Sequence, residues 1–116
     1  MPFEAQWTPE ASKAYTKLQR AALAAHENRG KSKKKKSTKA EGLFKQVEKS
    51  IRFLLENPKH PSLNTHEYDS IENPFDKNSK VFEAYAQNRT PGAYRVFWCY
   101  GPEKSQITIL AITPHP

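Results

Sequence analysis

The chain is poor in the residues that build the commonest catalytic frameworks. It holds a single cysteine, Cys99, among 116 residues. One thiol forms no internal disulfide, and in a β-type pattern it reads as a small core residue rather than a nucleophile. Only four glycines are present. None belongs to a phosphate-binding loop, a dinucleotide fingerprint or a nucleophile elbow. No apolar run approaches the ~20 residues of a membrane span. The opening residues MPFEAQWTPE have neither the basic start nor the apolar stretch of a signal peptide. A cytoplasmic protein with no membrane partner is expected. Four histidines, His26, His60, His66 and His115, are spread along the chain without the close pairing of zinc sites. No metal and no cofactor are expected.

What the chain does have is charge in one place. The formal net charge is +7. Residues 29–39, RGKSKKKKSTK, contribute Arg29, Lys31, Lys33, Lys34, Lys35, Lys36 and Lys39 and no acid. The remainder balances 12 basic against 12 acidic residues. The protein reads as one neutral domain, residues 1–116, carrying a lysine-rich inter-helix loop at 29–39. Such a run is either a solvated loop or a phosphate-backbone contact. Lys31, Lys33, Lys34, Lys35, Lys36 and Lys39 are the nucleic-acid-binding candidates on the second reading. As point charges they supply affinity without sequence specificity.

PFEAQW (2–7) suits a short strand. Thr8 then reads as an N-cap, with Pro9 at the first helical position and Glu10 in the first turn. Ala11, Tyr15, Leu18, Ala22 and Ala25 follow at helical spacing and predict a helix over 9–27, with Gly30 arguing for a break. A second helix carries Leu43, Phe44, Val47, Ile51, Phe53 and Leu54 and stops at Asn57–Pro58. The stretch 60–80 has little periodicity and predicts a long loop or extended segment, tacked down by Leu63, Tyr68, Ile71 and Phe75. His60 and His66 lie in it, where turn and surface roles are the ordinary account.

The last third is β. VFEAYAQN (81–88) alternates, Pro91–Gly92 suits a turn with positive φ at Gly92, and AYRVFWCY (93–100) has bulk on both faces. GPEK turns the chain, and QITILAIT (106–113) is apolar on both faces and is expected at the sheet centre. The order β-α-α-β-β-β predicts an α+β fold, an antiparallel-rich sheet packed against a helical hairpin.

Arg95 is out of place in this pattern, because a charge in a strand covered on both faces is costly. Glu83 shares a face with Tyr85 and Gln87, Arg95 lies on the neighbouring strand, and His115 follows the last strand. These are the parts for metal-free RNA cleavage: a base for the 2′-hydroxyl proton, a cation for the crowded phosphorane and an acid for the leaving 5′-oxygen. A cross-strand Glu83–Arg95 pair and a frayed terminal histidine account for the same residues without catalysis.

The β-α-α-β-β-β order, NPKHPSL after the second helix, AYRVFW in the penultimate strand and ITILAITPHP at the end together resemble the RelE/ParE toxin superfamily of bacterial toxin–antitoxin systems. That resemblance implies a RelE-like fold and a cognate antitoxin protein as partner. RelE-type members cut mRNA in the ribosomal A site, which implies a metal-independent, ribosome-dependent mRNA endonuclease (an mRNA interferase) whose partners are the ribosome and mRNA. It implies Arg95 on the scissile phosphate, with Glu83 and His115 as base and acid. ParE-type relatives instead inhibit DNA gyrase, and a non-catalytic RNA- or ribosome-binding module of the same fold is a further alternative. The chain departs from the pattern in its lysine-rich insertion, its long 60–80 segment and the absence of an arginine near TPHP.

Overall fold

The computed structural model describes residues 2–31, 38–88 and 91–114. Thr8 caps the first helix as its residue type predicts: its Oγ1 accepts from the Ala11 amide at 3.1 Å. The same hydroxyl donates to the Leu110 carbonyl at 2.8 Å and so ties the helix start to the sheet. Helix α1 spans Pro9–Lys31 and helix α2 spans Lys39–Glu56. Helix α1 runs through Gly30 rather than breaking there. No atom lies within 4 Å of a Cβ built on that glycine, so its lower helix propensity, about 1 kcal/mol, is the only local opposition.

Thr38 and Glu41 form a capping box at the start of α2, each side chain bonding the other's backbone amide. The T-x-x-E signature for it stands in the sequence. Residues 29–31 belong to α1 and Lys39 to α2, so both ends of the expected 29–39 loop are helical, and residues 32–37 lie outside the described residues. The Glu41 carboxylate also lies 3.4 Å from His26 Nδ1, linking the two helices. Helix α2 ends where the Asn57–Pro58 pair predicts, with the Asn57 amide bonded to the Phe53 carbonyl.

Five strands follow the order β1-β5-β4-β3-β2. They are β1 Glu4–Trp7, β2 His66–Glu67, β3 Phe82–Tyr85, β4 Tyr94–Tyr100 and β5 Gln106–Pro114. Strand β1 pairs with β5 in parallel, and the other pairs are antiparallel. Strand β4 is therefore the middle strand, and β5, expected at the sheet centre from its two apolar faces, lies one place to the side, in the interior between β1 and β4. Gly92 takes φ +68° in the β3–β4 turn, the conformation the Pro-Gly pair favours. The two-residue β2 is an element that the sequence pattern does not announce.

The helical hairpin covers one sheet face. Val47, Ile51 and Leu54 of α2 and Ala11 of α1 pack on Ala84, Val96, Trp98, Ile107, Ile109 and Ile112. On the other face Val81, Phe97, Cys99 and Leu110 form a smaller cluster under Tyr68 and Ile71. The 60–80 segment is therefore a cover. It begins with a 3-10 turn, Pro61–Leu63, whose Leu63 is buried. Its far half is organised by Asn73, whose Oδ1 accepts from the Phe75 and Asp76 amides and whose Nδ2 donates to the Lys80 carbonyl. Phe75 does not anchor it as expected; it is 48% exposed and rests against Gly101.

Candidate active site

Register places the candidate residues. In β3 and β4, Glu83 lies opposite Phe97 and Tyr85 opposite Arg95. In β4 and β5, Arg95 lies opposite Thr113 and Tyr94 opposite Pro114. Alternation puts Glu83, Tyr85, Arg95 and Phe97 on the face turned away from the helices. Strand β2 adds His66 directly opposite Glu83. The His66 ring meets the Tyr85 ring edge-on at 5.5 Å.

Arg95 is 7% exposed. Its Cζ stands 3.6 Å from the centroid of the Tyr85 ring, a cation–π contact. Nη1 donates to the Gln87 carbonyl at 2.7 Å and to the Tyr94 carbonyl at 3.3 Å. Nε is buried without a hydrogen-bond partner, and among the described residues no hydrogen bond reaches Nη2. No ion pair joins Arg95 to Glu83, so the cross-strand pairing weighed from the sequence is not what holds this charge. Glu83 is itself 6% exposed.

Arg95 is therefore enclosed by protein and is not presented to solvent by the sheet. The chain bends just after β3, where the Ala86 and Gln87 amides both bond the Tyr94 carbonyl, and the bend brings the Gln87 carbonyl onto the guanidinium. Gln87 is in turn held from two sides. Its Oε1 accepts from the Tyr94 amide at 3.1 Å, and its Nε2 donates to Gln46 Oε1 of α2 at 2.9 Å. The bend is therefore stapled to a helix on the opposite side of the sheet.

One edge of the guanidinium is left without a hydrogen-bond partner among the described residues. Nη1 is an anchor, while the Nε–Nη2 edge lacks acceptors. A buried donor without a partner calls for an explanation, and the side-on edge of an arginine matches two oxygens of a phosphate. His115 and Lys33, Lys34, Lys35 and Lys36 lie outside the described residues. Lys31 closes α1, and Lys39 is the exposed first residue of α2. Sequence reasoning did not nominate His66 or Tyr85. Tyr85 carried a signal, two residues from Glu83 on an alternating strand. His66 carried none, because a two-residue strand has no periodicity to read.

Cys99 takes no part in this site. It is fully buried, and burial pushes its thiol up to about 11. Among the described residues no group of three or more His, Cys, Asp or Glu could hold a metal ion, and no helix is long and apolar enough to cross a membrane.

Two helices laid on one face of a sheet in which only β1 pairs in parallel make the α+β layout of RelE/YoeB-like folds. Solved structures carry the comparison. The YoeB dimer of Staphylococcus aureus superposes with a TM-score of 0.62 at 10% identity, covering 100% of both chains. A YoeB/ParE toxin from Agrobacterium tumefaciens gives 0.59 at 10% identity, covering 97% of this chain and 99% of that one. The archaeal RelE–RelB complex from Pyrococcus horikoshii gives 0.56 at 16% identity, covering 98% and 96%. All three are RelE/ParE-superfamily toxins, the group the sequence motifs resemble. At these identities the likeness establishes a shared fold. No protein-family model and no curated protein sequence matches the chain.

Proposed function

We propose that this chain is the toxin of a toxin–antitoxin pair and that it acts as a ribosome-dependent mRNA endonuclease in the cytoplasm. The observation that carries this reading is Arg95, a guanidinium pinned by Nη1 while its Nε–Nη2 edge lacks an acceptor. A scissile phosphate supplies that acceptor. The buried setting strengthens each charge-assisted hydrogen bond and removes the need to reorganise during reaction.

In the proposed reaction the ribose 2′-oxygen attacks the adjacent phosphorus as Glu83 takes its proton. Arg95 neutralises the charge gathering on the phosphorane oxygens. The bond from phosphorus to the 5′-oxygen breaks, and His115 protonates the leaving oxygen. The products are a 2′,3′-cyclic phosphate and a 5′-hydroxyl. Electrons and protons balance without an added reagent. The lysines at 31, 33, 34, 35, 36 and 39 supply backbone affinity for ribosomal RNA or mRNA. A cognate antitoxin is the proposed protein partner; the RelE–RelB complex shows that a protein of this fold can be held by one.

Controlled expression in bacteria tests the reading. The wild-type chain is expected to arrest growth and to cut translated mRNA, with cleavage unaffected by a chelator in a purified translation system. Arg95→Ala and His115→Ala are expected to abolish cutting. A wild-type chain that leaves growth and mRNA intact overturns it. DNA damage with intact mRNA is instead the outcome for gyrase inhibition.

The 7% exposure of Arg95 favours one second reading, a non-catalytic RNA- or ribosome-binding module. Its signature is RNA binding that survives Arg95→Ala, disappears when residues 31–39 are replaced by neutral ones, and falls steeply with salt.

A further inference from the structure

On the helix-covered face, at the end of β4 away from Arg95, an open cleft of about 660 Å³ lies between the sheet and the segment that follows α2. Its floor is aromatic and ordered. Phe82 and Trp98 stack with centroids 4.8 Å apart and planes 25° apart. Tyr100 stands nearly perpendicular to both, at 80° to Phe82 and 81° to Trp98. Trp98 is 1% exposed, whereas Phe82 is half-buried and Tyr100 is 44% exposed. The outer surfaces are thus a flat ring and an upright one, an L-shaped corner that suits a planar guest.

The rim is different. Lys59, His60, Asn64 and His66 line it, with no acidic residue among the lining side chains. His60 is fixed in place, its ring stacked on Phe53 at 4.4 Å and 16°. Its Nδ1 accepts from the Ser62 amide at 3.1 Å, which leaves Nε2 to carry the proton and to donate. Lys59 and His66 are exposed. One further observation points to a missing acceptor: the indole Nε1 of Trp98 is buried and has no hydrogen-bond partner. Tryptophan normally finds one when buried.

We propose that this cleft binds a phosphate-bearing nucleobase, with the base against Phe82 and Tyr100 and the phosphate at the rim formed by Lys59 and His60. A base supplies what the corner lacks. It has a π face for stacking, and ring nitrogens or carbonyl oxygens as acceptors. The phosphate accounts for a rim of donors without an acid. The shared chemistry belongs equally to a free nucleotide and to one unit of single-stranded RNA. The proposal goes beyond the endonuclease reading and stands without it, because the cleft opens on the face opposite Arg95.

The test is a titration of the full ¹⁵N-labelled chain followed at its two indole N–H resonances, with Trp7→Phe used to assign them. AMP forms one arm and a hexaribonucleotide the other. The Trp98 resonance is expected to shift saturably while that of Trp7 stays in place. Tyr100→Ala and Lys59→Gln are each expected to weaken binding about tenfold, and Tyr100→Phe to retain it. Lys59 is exposed, so its variant keeps the question open to measurement if Tyr100→Ala disturbs the fold. An oligonucleotide that binds more tightly than AMP, with strong salt dependence, identifies an RNA strand as the occupant; equal affinity identifies a free nucleotide. A Trp98 resonance unmoved in both arms overturns the proposal, and so does wild-type affinity in Lys59→Gln. Loss of mRNA cleavage bears only on Arg95 and leaves this shift untouched.

Discussion

Val96 and Phe97 are neighbours on β4, 0% and 2% exposed, yet they are covered by different kinds of structure. Val96 faces the helical hairpin. Phe97 faces the 60–80 segment, with Tyr68 stacked at 4.6 Å. A helix satisfies its own backbone and offers an apolar stripe along its whole length. An irregular segment must satisfy its backbone through side chains such as Asn73, and it offers only a few apolar anchors. The helix side is therefore closed by hydrophobic packing except at the end of the sheet where Phe82, Trp98 and Tyr100 floor the cleft. The other side has an apolar half under Tyr68 and Ile71 and a polar half that holds Glu83 and Arg95. Equal burial hides unequal chemistry, and the proposed active site lies where the apolar cover gives out.

The comparison breaks first at Arg95. Arg95→Met keeps the bulk and removes the charge. On the proposed endonuclease reading, the rate of mRNA cleavage is expected to fall 10²–10³-fold, the scale of a lost transition-state donor. Urea denaturation is expected to show no loss of stability, because a buried charge without an acid partner contributes little net stabilisation. A matching drop in stability would make Arg95 a structural residue.

The two apolar clusters separate next. Leu54→Ala on the helix side is expected to cost about 3–5 kcal/mol, since two helices and a sheet cannot collapse into the space left. Leu110→Ala, under the looser cover, is expected to cost about 2–3 kcal/mol. Equal losses in chemical denaturation would show that the segment is as rigid as a helix. Asn73→Ala removes the hub of that cover and is expected to cost about 1–3 kcal/mol, with hydrogen exchange rising at Phe75 and Asp76.

The smallest effect is that of pH on Cys99. Its thiol titrates near 11 when folded, above the ordinary value of 9.0. The unfolded chain therefore loses this proton first. The stabilising contribution is complete below pH 9 and is lost as pH rises toward 11. Urea midpoints compared at pH 8 and 10.5 are expected to fall in the wild type. Cys99→Ala, measured in parallel, isolates this contribution from that of Tyr15 and Tyr100, whose burial raises their values too.

Much of the frame was legible in the sequence. The end of α2 was fixed by Asn57–Pro58, the β3–β4 turn by Pro91–Gly92, and the interior, though not the middle, place of β5 by its two apolar faces. These depend on a residue's own backbone preferences or on local periodicity. The misreadings share a cause. Gly30 weakens a helix locally, but α1 continues through it. Phe75 is apolar, but the segment is held by Asn73. His66 joins the candidate site through a bridge of two residues, too short for any pattern.

By itself the sequence determined the two helices, the turn chemistry, the alternation within each strand, and the concentration of charge at 29–39, while register put Arg95 on a face with Glu83. The surroundings of Arg95 were decided by the tertiary structure alone. The Gln87 carbonyl, the Tyr85 ring and the Gln46 staple come from three elements, and only packing and strand register bring them together. Backbone preference and periodicity are properties of neighbours in the chain, whereas the environment of a buried charge is set by neighbours in space.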